Sequence, residues 1–193
     1  YIISKEAHSG FYLNQFDYTI KNQNRFDRRI RLDGHVDNHS YTMVKGLHGD
    51  FNGSSAKLSR MVIQLKKYPV LLLIDCVNTN VKHQLKFEQN FNLASNVEIK
   101  NTDNGYKLIA DGEEMVLKQY ISTDKSTVIA GDKNKPIAVN TTGFAQVENT
   151  KQIKFNKATN QKNVFITGIF DEREVGDIGI SISKKTLEIL VSN

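Results

Sequence analysis

The chain has 193 residues, 39% hydrophobic and 24% charged, with 2 Pro, 1 Cys and no Trp, which excludes a disordered tail, a Pro-rich linker and a Trp-lined sugar platform. Its longest apolar run, Val70 to Ile74, is far too short to span a bilayer, and no secretion signal opens the chain. The formal net charge of +5 admits an acidic partner, such as nucleic acid, anionic lipid or polyuronate. Because the chain opens on Tyr1 and not Met, a mature product or a fragment of a larger protein is expected.

Taken in chain order, the residues alternate as strands and turns almost throughout. Ile3 to Asn14 reads as a strand with Phe11 and Leu13 on one face. His8 and Tyr12 then share the opposite, exposed face, with only Gly10 between them. Arg25, Arg28, Arg29 and Arg31 form the one dense basic cluster, interrupted by Asp27 and followed by Asp33. Such a cluster can be a solvated charged face or a contact for an acidic ligand. Asp33 to His39 reads as a polar loop.

Leu58 to Leu65 alternates, with Met61, Ile63 and Leu65 on one face and Arg60, Val62 and Gln64 on the other. A turn at Lys66 to Pro69 leads into Val70 to Cys76, apolar on both faces and therefore a central strand covered above and below. Leu85, Phe87 and Phe91 fall on one face of the next strand. Asn104-Gly105 predicts a tight hairpin with Gly105 at positive φ, and Asp111-Gly112 predicts a second turn. Short strands recur from Thr127 to Val191, although Lys184 to Leu190 could form one helical turn. Many short strands with turn chemistry between them predict an all-β, two-layered antiparallel β-sandwich, one domain over residues 1–193.

Phosphate-binding Gly loops, a dinucleotide fingerprint and a nucleophile elbow are all missing. One cysteine excludes an internal disulfide, and Cys76, beside the most apolar run, is expected to be a buried thiol. The five histidines are His8, His35, His39, His48 and His83. His35 and His39 stand near Asp33 and Asp37, where a metal site can be drawn, but spacing alone favours an ordinary polar loop. No metal ligand set is therefore assigned, and no cofactor is identified. His48 opens a plain loop and His83 begins a strand. His8 has the most distinctive setting: an imidazole beside a phenol could hold a sugar ring or handle a proton.

The order of these features resembles the carboxy-terminal β-sandwich of heparinase II/III-like polysaccharide lyases. ISKEAHSGFYLN is similar to the family strand with an Ala-His-Asn-Thr core, with Ser9 and Gly10 standing where the family usually has Asn and Thr. YTMVKGLHGDFNG resembles the segment leading to a Gly-aromatic turn. LSRMVIQLKKYPVLLLIDCV is similar to an Arg-containing strand, a turn and an apolar strand reaching Asp, and HQLKFEQNFNLASNVEI to a strand with a Phe-X-Leu exit.

The resemblance implies an α/α toroid preceding the sandwich, missing from this chain, and an acidic polysaccharide in the cleft between the two. The implied chemistry is β-elimination at a uronic acid. A polar group neutralises the carboxylate, a base removes the C5 proton and an acid protonates the departing O4. His8 becomes the catalytic candidate, with Tyr12, Arg28 and Arg29 as substrate-binding candidates. The catalytic tyrosine would lie on the toroid, so the isolated sandwich is expected to be inactive. The expected partners are an acidic polysaccharide and the toroid, not nucleic acid, and the expected location is secreted or cell-surface. The rival reading is a non-catalytic carbohydrate-binding or adhesin-type structural β domain.

Overall fold

Alternate side chains of a strand point to opposite faces, and here that alternation builds the layers. The computed structural model describes residues 8–16, 30–49, 54–132, 134, 137–143, 146–183 and 186–192, and all regular elements among them are strands. Eight form one antiparallel sheet in the order β2 (Ile30–Asp37), β3 (Tyr41–His48), β4 (Lys57–Leu65), β5 (Val70–Asn78), β14 (Asn163–Phe170), β9 (Glu113–Gln119), β8 (Gly105–Ala110) and β7 (Glu98–Thr102). Four form a smaller sheet in the order β1 (Phe11–Leu13), β6 (Leu85–Asn92), β13 (Lys151–Thr159) and β10 (Lys125–Ala130). Two hairpins complete the set: β11 (Val139–Gly143) with β12 (Gln146–Asn149), and β15 (Asp177–Ile182) with β16 (Leu187–Ser192).

The two sheets stack through a core of aromatic and branched side chains. Phe11, Leu13, Phe87, Phe91 and Phe155 of the small sheet meet Leu58, Leu73, Tyr106, Leu117 and Phe165 of the large one. Ring pairs lock the contact, with Phe11 stacked on Phe87 at 5.6 Å and edge-on to Phe165 at 5.9 Å. The expected all-β sandwich is therefore present.

A second cluster lies on the opposite face of the large sheet. Ile63, Val70, Leu72, Ile74, Val116, Ile166 and Phe170 are buried there with Val175 and Ile178. Ile180, Leu187, Ile189 and Val191 of the β15–β16 hairpin pack against them. That cover explains why β5 is apolar on both faces: Leu73 and Val77 serve one core, Leu72 and Ile74 the other.

Four local expectations need correction. The β7–β8 hairpin turns on Asp103 and Asn104, and Gly105 is already the first residue of β8, without a positive φ. The left-handed turn is instead the next one, where Asp111 has φ 52° and Gly112 φ 85° in the two-residue loop between β8 and β9. Gly105 is required for a different reason: a Cβ there would stand 1.9 Å from the Leu117 carbonyl oxygen. Leu187 to Leu190 belongs to strand β16, because pairing with β15 outweighs local helical spacing. Asp33 to Asp37 belongs to strand β2, which pairs with β3 through a bulge between Leu32 and Gly34. Finally, the strand expected over Ile3 to Asn14 is described as regular only at Phe11–Leu13, with residues 1–7 outside the described residues.

Candidate functional site

The expected alternation at β1 holds. Phe11 and Leu13 enter the core, while Tyr12 pairs in register with Glu88 on the other face. Gly10 extends the ladder by exchanging two backbone bonds with Asn90, at 3.1 and 2.9 Å. Ser9 is tied as well, its Oγ accepting the Asn92 N–H at 2.9 Å and its carbonyl accepting from Arg60 Nη1 at 3.5 Å. His8 thus stands exposed at the head of a segment fixed residue by residue.

Tyr12 does not present the open phenol that the alternation suggested. Its ring folds over Gly10, where a Cβ would lie 2.0 Å from the tyrosine Oη, so Tyr12 is only 8% exposed. The missing side chain at Gly10 is filled by tyrosine instead of being left for a ligand. Arg28 and Arg29 lie outside the described residues. Their neighbour Arg31 is paired with Asp33 at 3.0 Å, and Asp33 also meets Lys45 at 2.9 Å. Hydrogen bonds from Lys45 and Arg31 hold the Asp33 carboxyl below its usual range. Asp37 is held low in the same way, first by Lys66 and then by Thr42. These two carboxylates near His35 are committed to ion pairs across the strands, and no cluster suited to a metal ion occurs among the described residues.

Beside β1 the larger sheet continues past the smaller one, and a groove of about 280 Å³ follows that step. Gly10, Tyr12, Ile30, Gly46, His48 and Arg60 line it. His8 is not among the lining residues; it stands two positions before Gly10 in the chain. Gly46 leaves open space in its floor, since a Cβ there would meet nothing within 4 Å.

Arg60 is the best-defined charge in the groove. Its Nε and Nη2 grip the two carboxylate oxygens of Asp75 at 2.7 and 2.8 Å, a bidentate pair. Asp75 is fully buried, whereas Arg60 keeps 22% of its side chain exposed. Burial pushes the Arg60 pKa down, but the Asp75 carboxylate outweighs it and the net direction is up. Behind Asp75 the network continues inward, with Gln89 Nε2 donating to Asp75 at 2.9 Å and Gln119 Nε2 donating to Gln89 Oε1 at 2.7 Å. Thr167 Oγ1 donates to the same Gln89 oxygen at 3.0 Å.

Arg60 and Asp75 were visible in the sequence as one strand carrying Arg and the next carrying Asp, but neither was singled out as a site residue. The signal that pairs them is the turn at Lys66 to Pro69, which brings Arg60 opposite Asp75. Gln89 carried no such signal, because a glutamine in an aromatic strand becomes informative only when its buried partners are known.

Neither family models nor curated proteins give a match to the sequence. Solved structures do match. The fold is that of a heparinase-like β-sandwich. A heparinase III solved with methylated lysines superposes with a TM-score of 0.70 at 12% identity, over 97% of this chain and 28% of that one. The heparan sulfate lyase HepC from Pedobacter heparinus gives 0.64 at 12% identity, over 96% of this chain and 30% of that one. A mutant of the same lyase gives 0.63. The chain therefore spans less than a third of the length of these structures, and the likeness is one of fold.

Proposed function

We propose that this chain is the carboxy-terminal β-sandwich of a heparinase II/III-like polysaccharide lyase, walling one side of a cleft for an acidic polysaccharide. The observation that carries the reading is the likeness to heparinase III over 97% of the chain. The one-domain reading of residues 1–193, the preceding α/α toroid and the secreted or cell-surface location belong to the same proposal. No described helix is long and apolar enough to cross a membrane.

In this reading His8 exchanges a proton with the sugar, acting as the base at C5 or the acid at O4. Its exposure suits it to either task. Arg60, held by Asp75 behind it, keeps part of its guanidinium exposed at the groove beside β1, where it can donate a hydrogen bond to a sugar oxygen. Tyr12 shapes the groove wall from its place over Gly10, and Arg28 and Arg29 stand as further contacts for the polyanion. The remaining catalytic groups come from the toroid, so proximity and orientation are complete only in the full-length protein.

The test is His8→Ala in the full-length protein, read as release of unsaturated uronide from heparan sulfate. Activity should fall by about 10²–10⁴-fold, the range for a lost general acid or base. The circular dichroism of the sandwich should not change. Normal turnover in the variant would remove His8 from the mechanism, and cleavage by the isolated chain would remove the need for a toroid.

A further inference from the structure

The β15–β16 hairpin does not cover the large sheet evenly. Strand alternation puts three apolar cross-strand pairs on its inward face: Ile178 with Val191, Ile180 with Ile189, and Ile182 with Leu187. Ile178 is 1% exposed, Ile180 is half-buried, and Ile182, next to the turn, is 37% exposed. The cover thus loosens toward the turn, and a cleft of about 510 Å³ opens there between hairpin and sheet. Ile182 and Leu187 line it from the hairpin, and Met61 of β4 and Cys76 of β5 line it from the sheet. All four side chains keep some exposure, so a ligand entering the cleft meets them directly.

Lys162 and Asn163, where the chain enters β14, make the cleft polar at one point of its lining. Lys162 is exposed, and its carbonyl accepts the Val77 N–H at 2.9 Å, which ties its backbone to β5. Its ammonium makes no ion pair with a described residue. Its charge nevertheless acts on the Cys76 thiol, opposing the upward push of burial, so the ammonium stands near the floor of the cleft. Asn163 Oδ1 accepts the Cys76 S–H at 3.3 Å, which leaves the amide NH2 of Asn163 as a donor.

These groups narrow the ligand class. None of the described lining residues is aromatic, so the cleft offers no ring on which a sugar or a planar ligand would stack. Aliphatic and sulfur-bearing side chains on two facing layers, with an adaptable thioether among them, suit a flexible alkyl chain instead. None of the described lining residues is acidic either, and the one cation stands beside an amide donor. That pair suits a carboxylate, which only accepts hydrogen bonds.

We propose that this cleft binds an alkyl carboxylate of the fatty-acid class, its chain between the hairpin and the sheet and its carboxylate at Lys162 and Asn163. The inference does not rest on the lyase reading. The cleft lies on the face of the large sheet away from β1, and it shares no residue with the groove there.

Cys76 is the only cysteine of the chain, so its alkylation reports on the cleft without a label. The experiment follows the iodoacetamide rate at about pH 9 in the presence of octanoate, 1-octanol or acetate, each below the concentration at which it aggregates. Octanoate should slow the reaction saturably. 1-Octanol should do so with an affinity about threefold to fivefold weaker, the worth of one exposed ion pair. Acetate should not protect, since each methylene taken out of water contributes about a factor of four. Lys162→Gln should bring octanoate down to the level of 1-octanol and leave 1-octanol unchanged. Ile182→Asp should weaken both by about tenfold or more. Both positions are exposed, so both variants should fold, which circular dichroism checks. Four results would each overturn the assignment: no protection by octanoate, equal protection by acetate, 1-octanol binding as tightly as octanoate, or octanoate affinity unchanged in Lys162→Gln.

Discussion

Asp75 shows how one residue can organise an interior. It is fully buried within an otherwise apolar strand, and Arg60 satisfies both of its oxygens. Removing Arg60 strands the carboxylate, which is costlier than the pair is worth when intact. Arg60→Ala should therefore destabilise by about 3 kcal/mol, toward the low end for a broken buried pair because the guanidinium keeps some exposure. Urea unfolding measures it, and a loss below about 1 kcal/mol would mark the pair as no stronger than a surface one.

Cys76 gives a prediction in pH. Its thiol is half-buried, with Sγ 3.3 Å from Asn163 Oδ1, and burial pushes its pKa upward, with Asp75 adding to the shift. The neutral thiol is the favoured form. Any stability from this group is present below the unfolded pKa and lost as pH rises through the folded one. At about pH 8 Cys76 should react with iodoacetamide more slowly than a free cysteine, and its rate should climb only at more alkaline pH. A rate equal to that of free cysteine would contradict the burial argument.

At the level of elements, two glycines with different duties separate sterics from backbone conformation. Gly105 carries no positive φ but lies against the Leu117 carbonyl, so any side chain there pushes β8 from β9. Gly112 is the reverse case, with φ 85° and open space around it. Gly112→Ala should cost about 1–2 kcal/mol through the left-handed backbone alone. Gly105→Val should cost more, about 3 kcal/mol, since overpacking is added where backbone cannot yield. Thermal unfolding of both variants gives the order, and a larger loss at Gly112 would reverse the argument.

These turns also show where sequence reading works. Hydrophobic alternation identified β4 and β6, where burial follows a period of two, and β5 stood out as a run apolar on both faces. Asn-Gly located the β7–β8 turn but misplaced the left-handed residue, since the same dipeptide fits several registers and only pairing selects one. The hairpin cover over β5 was implied by Val70 to Ile74 being apolar on both faces, yet which strands supply it is non-local information. The candidate site was less legible. Tyr12 lies on the face opposite Phe11 and Leu13 as the alternation predicts, but its folding onto Gly10 depends on a side-chain torsion that no spacing encodes.

On the scale of the molecule, the two apolar clusters share strands instead of dividing the chain. Leu73 of β5 and Phe165 of β14 belong to one core, and Leu72 of β5 and Ile166 of β14 to the other. Uncovering either face exposes the same sheet, so the two cores should unfold together. Leu72→Asp is the direct test. Leu72 is fully buried, and an unpaired carboxylate at that position should cost several kcal/mol, on the order of about 3–5. If the cores are coupled, the variant should lose hydrogen-exchange protection not only in β15–β16 but equally at Phe87 and Phe155, which sit across the sheet. Denaturant unfolding followed by circular dichroism should remain one transition, shifted to lower denaturant. Two separate transitions, or protection retained at Phe87 and Phe155 while β15–β16 exchanges freely, would show that the hairpin layer is an independent unit resting on a self-sufficient sandwich.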